Sequence, residues 1–355
     1  MFSPPDFRNI KTQTIVDIRP MVNHDPFFFA DSNDHEDWLN QVEEDILEPE
    51  LPFIDAHHHL WLRSGQPYLA SEYFKDTCTG HKVIASVFAE CHSMYRRHGP
   101  EDSKPVGESE FVSGIGAMSD SGAFGDTRIC EAMFGAVNLM LGDKVGAILE
   151  AHEIASGGRF RGVRVAANHY PGFYSSVDDP NYLKQSSVLS AIACLAERGH
   201  SLDCWVYHTQ LDQIAELATS FPDLTIILNH FGVPILGGPF RGKTEEVFND
   251  WRAQIVKVAQ YQNVVLKLGA LPIRREKRNL PPTSDEIFAS WRNWTEVAID
   301  SFAPDRCMFE SNFPVDKRHC SYAVLVNAFK KLSSGYSNVE KSDLFAGTAQ
   351  RAYRI

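Results

Sequence analysis

What most constrains this chain is an alternation that begins after Pro52. Short apolar runs recur, with helix-like stretches between them. The runs are 53–57 (FIDAH), 83–90 (VIASVFAE), 112–118 (VSGIGAM), 161–167 (RGVRVAA), 202–208 (LDCWVYH), 224–230 (LTIILNH), 264–270 (VVLKLGA) and 307–312 (CMFESN). Several are apolar at consecutive positions, as in strands covered on both faces. Helical patterns fall at 128–141, 145–156, 186–199 and 210–220. Eight strands with helices between them predict an α/β chain folded as a (β/α)8 TIM barrel. A doubly wound open sheet is the alternative. With 355 residues, the chain is long enough for one such barrel over 51–355. Residues 1–50 are rich in Asp, Glu, Asn and Pro and contain Phe27–Phe29. They read as an N-terminal extension packing on the barrel, with a helix over 37–47 that puts Trp38, Val42 and Leu47 on one side.

A barrel places its chemistry at the C-terminal ends of its strands. Polar, ligand-capable residues gather at those ends here: His57-His58-His59, Glu90 with His92, Asn168-His169, His208, His230, and the run Ser311-Asn312-Phe313-Pro314-Val315-Asp316. In a regular strand His57 and His59 share a face and His58 takes the other. Two such imidazoles can converge on an ion or a substrate, because neutral imidazole is both a metal ligand and a general base. Asp55 shares the His57 face on the same reasoning, placed to hold that imidazole from behind.

The remaining composition narrows the classes. A formal net charge of −12 argues against nucleic acid or an anionic membrane as partner. The seven cysteines are odd in number, without a CxxC pair, and read as free thiols of a reducing compartment. The first residues, MFSPPDFRNI, contain no apolar signal core, and no stretch reaches membrane-spanning length. The expectation is a cytoplasmic protein acting on a small molecule. A homodimer is the commonest assembly for such a chain. Gly157-Gly158 read as a helix C-cap and turn rather than a phosphate cradle.

Three motifs in order, DAHHHLW, then VYHTQLDQIAELATSFPDLTIILNHFG, then RCMFESNFPVDK, resemble the amidohydrolase superfamily. The likeness is to its lactonase-like branch, which includes pyrone-dicarboxylate and sugar-acid lactonases. It runs from about Trp38 to the C-terminal LFAGTAQRAYRI. It implies a (β/α)8 barrel that hydrolyses small cyclic esters, often with one divalent metal, although some members need none. The family's strand-one HxH falls on His57 and His59, its strand-five histidine on His208 and its strand-six histidine on His230. Its strand-eight Asp falls on Asn312, which is a departure, because an amide cannot take a proton.

The expected mechanism is water attack on a ring ester carrying carboxylate or hydroxyl groups. His57, His59 and His208, with Glu90, would hold one divalent metal. Nitrogen-rich donors with one oxygen suit zinc. His230, Asn312 and Asp316 are the candidate catalytic groups. Glu310, on the same face as Asn312 and one layer deeper, is a further carboxylate that could pair instead with Lys267 or Arg164. Arg164, Lys267, His92 and His169 are the candidate substrate contacts, cations at a rim fitting an anionic or hydroxylated ligand. Two other readings remain open on this scaffold: a non-oxidative decarboxylase of an aromatic acid, and a barrel without catalysis.

Overall fold

A computed structural model describes residues 32–63, 66–271 and 279–355. Residues 1–31, and with them Phe27–Phe29 and the N-terminal segment, lie outside the described residues. Eight parallel strands follow one another around a single sheet: β1 Pro52–His58, β2 Lys82–Ala89, β3 Arg128–Gly135, β4 Phe160–Ala166, β5 Ser201–Trp205, β6 Ile226–Leu228, β7 Val264–Leu268 and β8 Cys307–Phe309. Helix α1, Ser32–Leu39, precedes the barrel. Each strand is then followed by its own helix: α2 Ala70–Thr77, α3 Val106–Asp120, α4 Val145–Ala155, α5 Ser186–Glu197, α6 Leu211–Ser220, α7 Thr244–Val258, α8 Ser284–Phe302 and α9 Tyr322–Leu332. Helices α10, Asn338–Ser342, and α11, Thr348–Tyr353, end the chain. This is the (β/α)8 barrel that the alternation predicts. Among the described residues, no helix is long and apolar enough to cross a membrane.

The interior explains the abundance of small residues in the strands. Ile54, Ala56, Ala85, Val87, Ala89, Ala132, Phe134, Ile227 and Met308 pack on one another inside the sheet. Eight strands leave room for little more than such side chains. Tyr353 of α11 belongs to the same cluster, its ring stacked 5.8 Å from that of Phe134. The alternate residues of the strands, such as Phe53, Phe88, Leu202, Leu228 and Leu266, belong to the cluster shared with the helices. The ring closes without a ladder between β8 and β1. Instead the Asn312 N–H donates to His57 O at 2.9 Å, and the His59 N–H donates to Phe313 O at 2.7 Å. The closing seam is therefore built from the two motifs that carry the candidate site.

Two local expectations are corrected. The run 112–118 is not the third strand but the middle of α3, and β3 is RICEAMFG, 128–135, where a helix was expected. The buried residues Val112, Ile115, Gly116 and Ser119 of α3 follow helical spacing, whereas β3 is buried at nearly every position. Apolarity alone cannot separate a short buried helix from a strand. A Cβ at Gly116 would lie 2.0 Å from Arg159 Nε, so a larger residue there displaces that side chain. The helix expected over 37–47 is instead α1, ending at Leu39. Beyond it the backbone runs irregularly against α8 and α9. Asn327 Oδ1 accepts from Leu47 N–H at 2.9 Å, Lys330 donates to the carbonyls of Leu47 and Glu48 at 2.6 and 2.8 Å, and Glu44 accepts from the Ser284 N–H at 2.7 Å. Asn327 and Lys330 thus satisfy backbone groups that a helix would otherwise satisfy internally, and Glu44 satisfies the first N–H of α8.

Candidate active site

The histidine triplet owes its arrangement to a break in strand alternation. Ile54 and Ala56 face the interior. The register of β1 against β2 then shifts between Asp55 and His58, so His57 also turns inward while His58 turns out. Asp55, between Ile54 and Ala56, is on the outer face, and the expectation that it braces the His57 ring is corrected. Its carboxylate accepts from Ser311 N–H (2.9 Å), Ser311 Oγ (2.6 Å), Tyr73 Oη (2.9 Å), Tyr322 Oη (3.2 Å) and, on His57, only the backbone N–H (3.3 Å). Burial raises its pKa against those donors. Asp55 thus ties β1, α2 and α9 to the segment after β8, across the closing seam.

His58 lies 2.9 Å from Ser86 Oγ and stacks 4.0 Å from Tyr73. Burial pushes its pKa down to about 3. In the unfolded chain it titrates near ~6.5. Below that pH the unfolded state binds a proton that the folded state refuses, so stability falls as pH drops from about 6.5 toward 3. The slope from this group is about 1.4 kcal/mol per pH unit. Urea midpoints measured between pH 7.5 and 4.5 are expected to fall less steeply in His58→Gln than in the parent. An identical slope would contradict this assignment.

Inside the mouth, Glu310 stands between two imidazoles. Its Oε1 is 2.5 Å from His230 Nδ1 and its Oε2 is 3.1 Å from His57 Nδ1. Lys267 Nζ sits beneath, 3.2 Å from His57 Nδ1, 4.0 Å from Glu310, 2.9 Å from Asp203 Oδ1 and 4.3 Å from the Phe134 ring centre. Asp203 also accepts from Asn229 Nδ2 and Tyr353 Oη, each at 2.9 Å. His57, Glu310, Lys267 and Asp203 are all fully buried. Burial holds His57 well below its usual pKa, and Lys267, His230, His59 and Arg164 push the same way. His59 is likewise held down, by burial and then Arg164. Both rings are therefore neutral. His59 Nδ1 is 2.9 Å from the Ala89 carbonyl, which can only accept, so its proton is on Nδ1 and Nε2 carries a lone pair. That Nε2 lies 3.2 Å from His57 Nε2. His230 and Asn312 both have left-handed backbones, φ +55° and +54°. Non-glycine residues seldom adopt them, and they cluster at working sites.

The candidate ligand atoms that converge are those of His57, His230 and Glu310, which lie within 4.8 Å of one another. Two imidazoles and a carboxylate are donors that zinc and related ions take. Asp203 neutralises Lys267, which leaves Glu310 as the charge offered to an ion. The group is able to hold a divalent metal, the ion displacing the proton between Glu310 and His230.

The other expected site residues are distributed as follows. Glu90 Oε1 accepts from Arg164 Nε at 2.7 Å, and its backbone carbonyl accepts from Arg164 Nη2 at 2.6 Å. Burial acts to raise the Glu90 pKa, but Arg164 and His92 outweigh it and hold it low. Glu90 is thus engaged with Arg164, whose Nη1 reaches to 3.4 Å from His57 Nε2. His208 is not among the converging groups; its Nδ1 accepts from Ile235 N–H at 3.3 Å. Asn312 Nδ2 donates to Asp316 Oδ1 at 3.2 Å, so these two pair with each other. Lys267, expected to meet substrate, is sealed beneath His57, because it lies on β7 below the mouth. The His92 side chain is 76% exposed, and His169 Nδ1 lies 3.0 Å from the Val177 carbonyl in the β4–α5 loop. Asp203 was not singled out in the sequence. Its signal was an acid within the apolar run LDCWVYH, which needs a buried cation, and Lys267 is that cation.

The chain matches the family model described as Amidohydrolase over residues 54–355. It is 31% identical over 329 residues to the uncharacterized protein y4mH of Sinorhizobium fredii (strain NBRC 101917 / NGR234), covering 86% of this chain and 99% of that protein. It is 23% identical over 312 residues to L-fucono-1,5-lactonase of Burkholderia multivorans (strain ATCC 17616 / 249), covering 85% and 96%. Among solved structures, an amidohydrolase from Burkholderia multivorans with bound zinc superposes with a TM-score of 0.67 at 20% identity, covering 86% of this chain and 99% of that one.

Proposed function

Because the chain belongs to the amidohydrolase family, we propose that it hydrolyses a small cyclic ester, a lactone bearing hydroxyl or carboxylate groups. The observation that carries this reading is the convergence of His57, His230 and Glu310 at the strand ends of the barrel, with His59 beside them. His57, His230 and Glu310 would hold one divalent ion, zinc on the donor types, in keeping with the zinc found in the Burkholderia multivorans amidohydrolase. Such an ion supplies Lewis acidity toward the ester carbonyl and toward water.

The chain's own groups do the rest. The His59 lone pair at Nε2 accepts a proton from the attacking water, with Ala89 O fixing the tautomer from behind. The water oxygen bonds to the carbonyl carbon, and the ring C–O bond then breaks. The leaving alkoxide takes the proton back from His59, so lactone and water give one hydroxy acid. Arg164, held in place by Glu90, faces the carbonyl oxygen as negative charge develops there.

Elemental analysis separates the roles. Protein purified without chelator is expected to carry near-stoichiometric zinc. His57→Ala is expected to lose it, while His208→Ala and His59→Ala keep it. In His59→Ala, kcat for lactone opening is expected to fall by about 10²–10³-fold. A panel of aldonolactones and pyrone lactones followed by acid release is the direct assay. No hydrolysis of any lactone, or release of carbon dioxide from an aromatic acid instead, would overturn the reading.

A further inference from the structure

The last residue of β5 is Trp205, and it has no part in the chemistry above. It shares strand parity with Asp203, which lies two positions below and is sealed inside the barrel against Lys267, Asn229 and Tyr353. The indole is therefore directed into the mouth of the barrel, one layer above Asp203. It is half-buried where Asp203 is fully buried. Its partner on β4 is Ala166, two residues above Arg164 on the same strand face.

A second ring extends this surface. Tyr174, from the β4–α5 loop, is 57% exposed, and its ring lies 6.1 Å from that of Trp205 with a tilt of 43°. The loop that presents it is pinned. Tyr207 Oη donates to Tyr174 O at 2.7 Å, the Ser176 N–H donates to Asn168 O at 3.0 Å, and the Phe173 ring packs 5.8 Å from Tyr207. An exposed aromatic held this firmly presents apolar area without an ordering cost when a ligand arrives.

We propose that Trp205 and Tyr174 form a stacking subsite for the substrate ring, and that this subsite favours a saturated ring with a face of C–H groups. The inference rests on the lactone-hydrolase reading. The inward cations Arg164 and Lys267 are already paired, with Glu90 and Asp203 respectively. Ring binding then draws on stacking and hydrogen bonds. One face of a saturated sugar lactone is a patch of C–H groups, which lies on an indole while the hydroxyls of its other face remain solvated. In that pose the ester carbonyl points along the β4 side toward Arg164 and His59.

The test uses the intact metal-loaded enzyme with D-glucono-1,5-lactone as substrate and D-glucono-1,5-lactam as an uncleavable binding probe. Trp205→Ala is expected to raise KM, and the Kd of the lactam, by about 5–10-fold, with kcat changed less than about twofold. Trp205→Phe restores most of the affinity. Tyr174→Ala, at an exposed position that threatens no core packing, gives a smaller rise in the same direction. Unchanged KM and Kd in the Trp205 variants, or a fall in kcat alone, would overturn the subsite. If the parent binds the lactam through Trp205 but hydrolyses no lactone, the subsite stands and the hydrolase reading falls. If the parent does neither, both fall.

Discussion

Glu310→Gln is expected to lower kcat for lactone opening by about 10³-fold and to abolish stoichiometric metal binding, while the barrel stays folded. Glutamine keeps the length of the side chain and can accept one hydrogen bond through its amide oxygen. It removes the charge that Glu310 offers between His230 Nδ1 and His57 Nδ1. Where its NH2 faces His230 Nδ1, which now meets a carboxylate oxygen, the contact becomes donor against donor. Losing one ligand of three costs an ion most of its affinity, and even groups that only orient a ligand are worth about 10–100-fold. Metal content by elemental analysis, read beside kcat, checks the two effects together. Full metal occupancy with unchanged kcat would remove Glu310 from the site. Asn312 offers the contrast. Its side chain pairs with Asp316, so Asn312→Asp sets two carboxylates against each other rather than restoring a lost base.

Lys267→Met is expected to destabilise the fold by about 3–5 kcal/mol, the range for removing one partner of a buried ion pair. The ammonium is fully buried, 2.9 Å from Asp203 and 4.0 Å from Glu310. Without it, two carboxylates are left inside the barrel with no adjacent cation. The double variant Lys267→Met/Asp203→Asn is expected to recover a large part of the loss, because it removes the orphaned charge along with its partner. Asparagine there can still meet Asn229 and Tyr353. Denaturant midpoints of the parent, the single and the double variant decide this. A single variant as stable as the parent would contradict the role of the Lys267–Asp203 pair in holding the fold.

These two residues also show where reading the sequence stopped. Lys267 was visible as a cation on a strand, and rim position suggested substrate contact. Its depth depends on how far along β7 the mouth of the barrel lies, which is a property of eight strands together. Glu310 was visible on the face of Asn312. That it meets two histidines from β1 and β6 depends on the distance across the barrel, which one strand cannot show. His208 has the reverse history. Its place at the end of strand five and the resemblance made it a ligand candidate, but the chain past Trp205 turns so that its Nδ1 meets the backbone of Ile235. The third strand was misplaced because VSGIGAM and RICEAMFG are both short and apolar, and only burial distinguishes a helix face from a strand covered on both sides.

The sequence by itself determined the barrel, and it placed the histidines of strands one and six among the candidate site residues. Those follow from local patterning: apolar runs of strand length, helices between them, and polar residues recurring at strand ends. Only the tertiary structure decided which groups touch. Asp55 faces outward by ordinary alternation and finds its donors on Ser311, Tyr73 and Tyr322, from parts of the chain far apart, and the register shift after it accompanies the inward turn of His57. The sharing of Glu310 between His57 and His230 likewise requires strands one, six and eight to close around a common axis. Alternation is a property of a single strand, whereas convergence belongs to the closed ring, and no spacing along the chain encodes the distance across it.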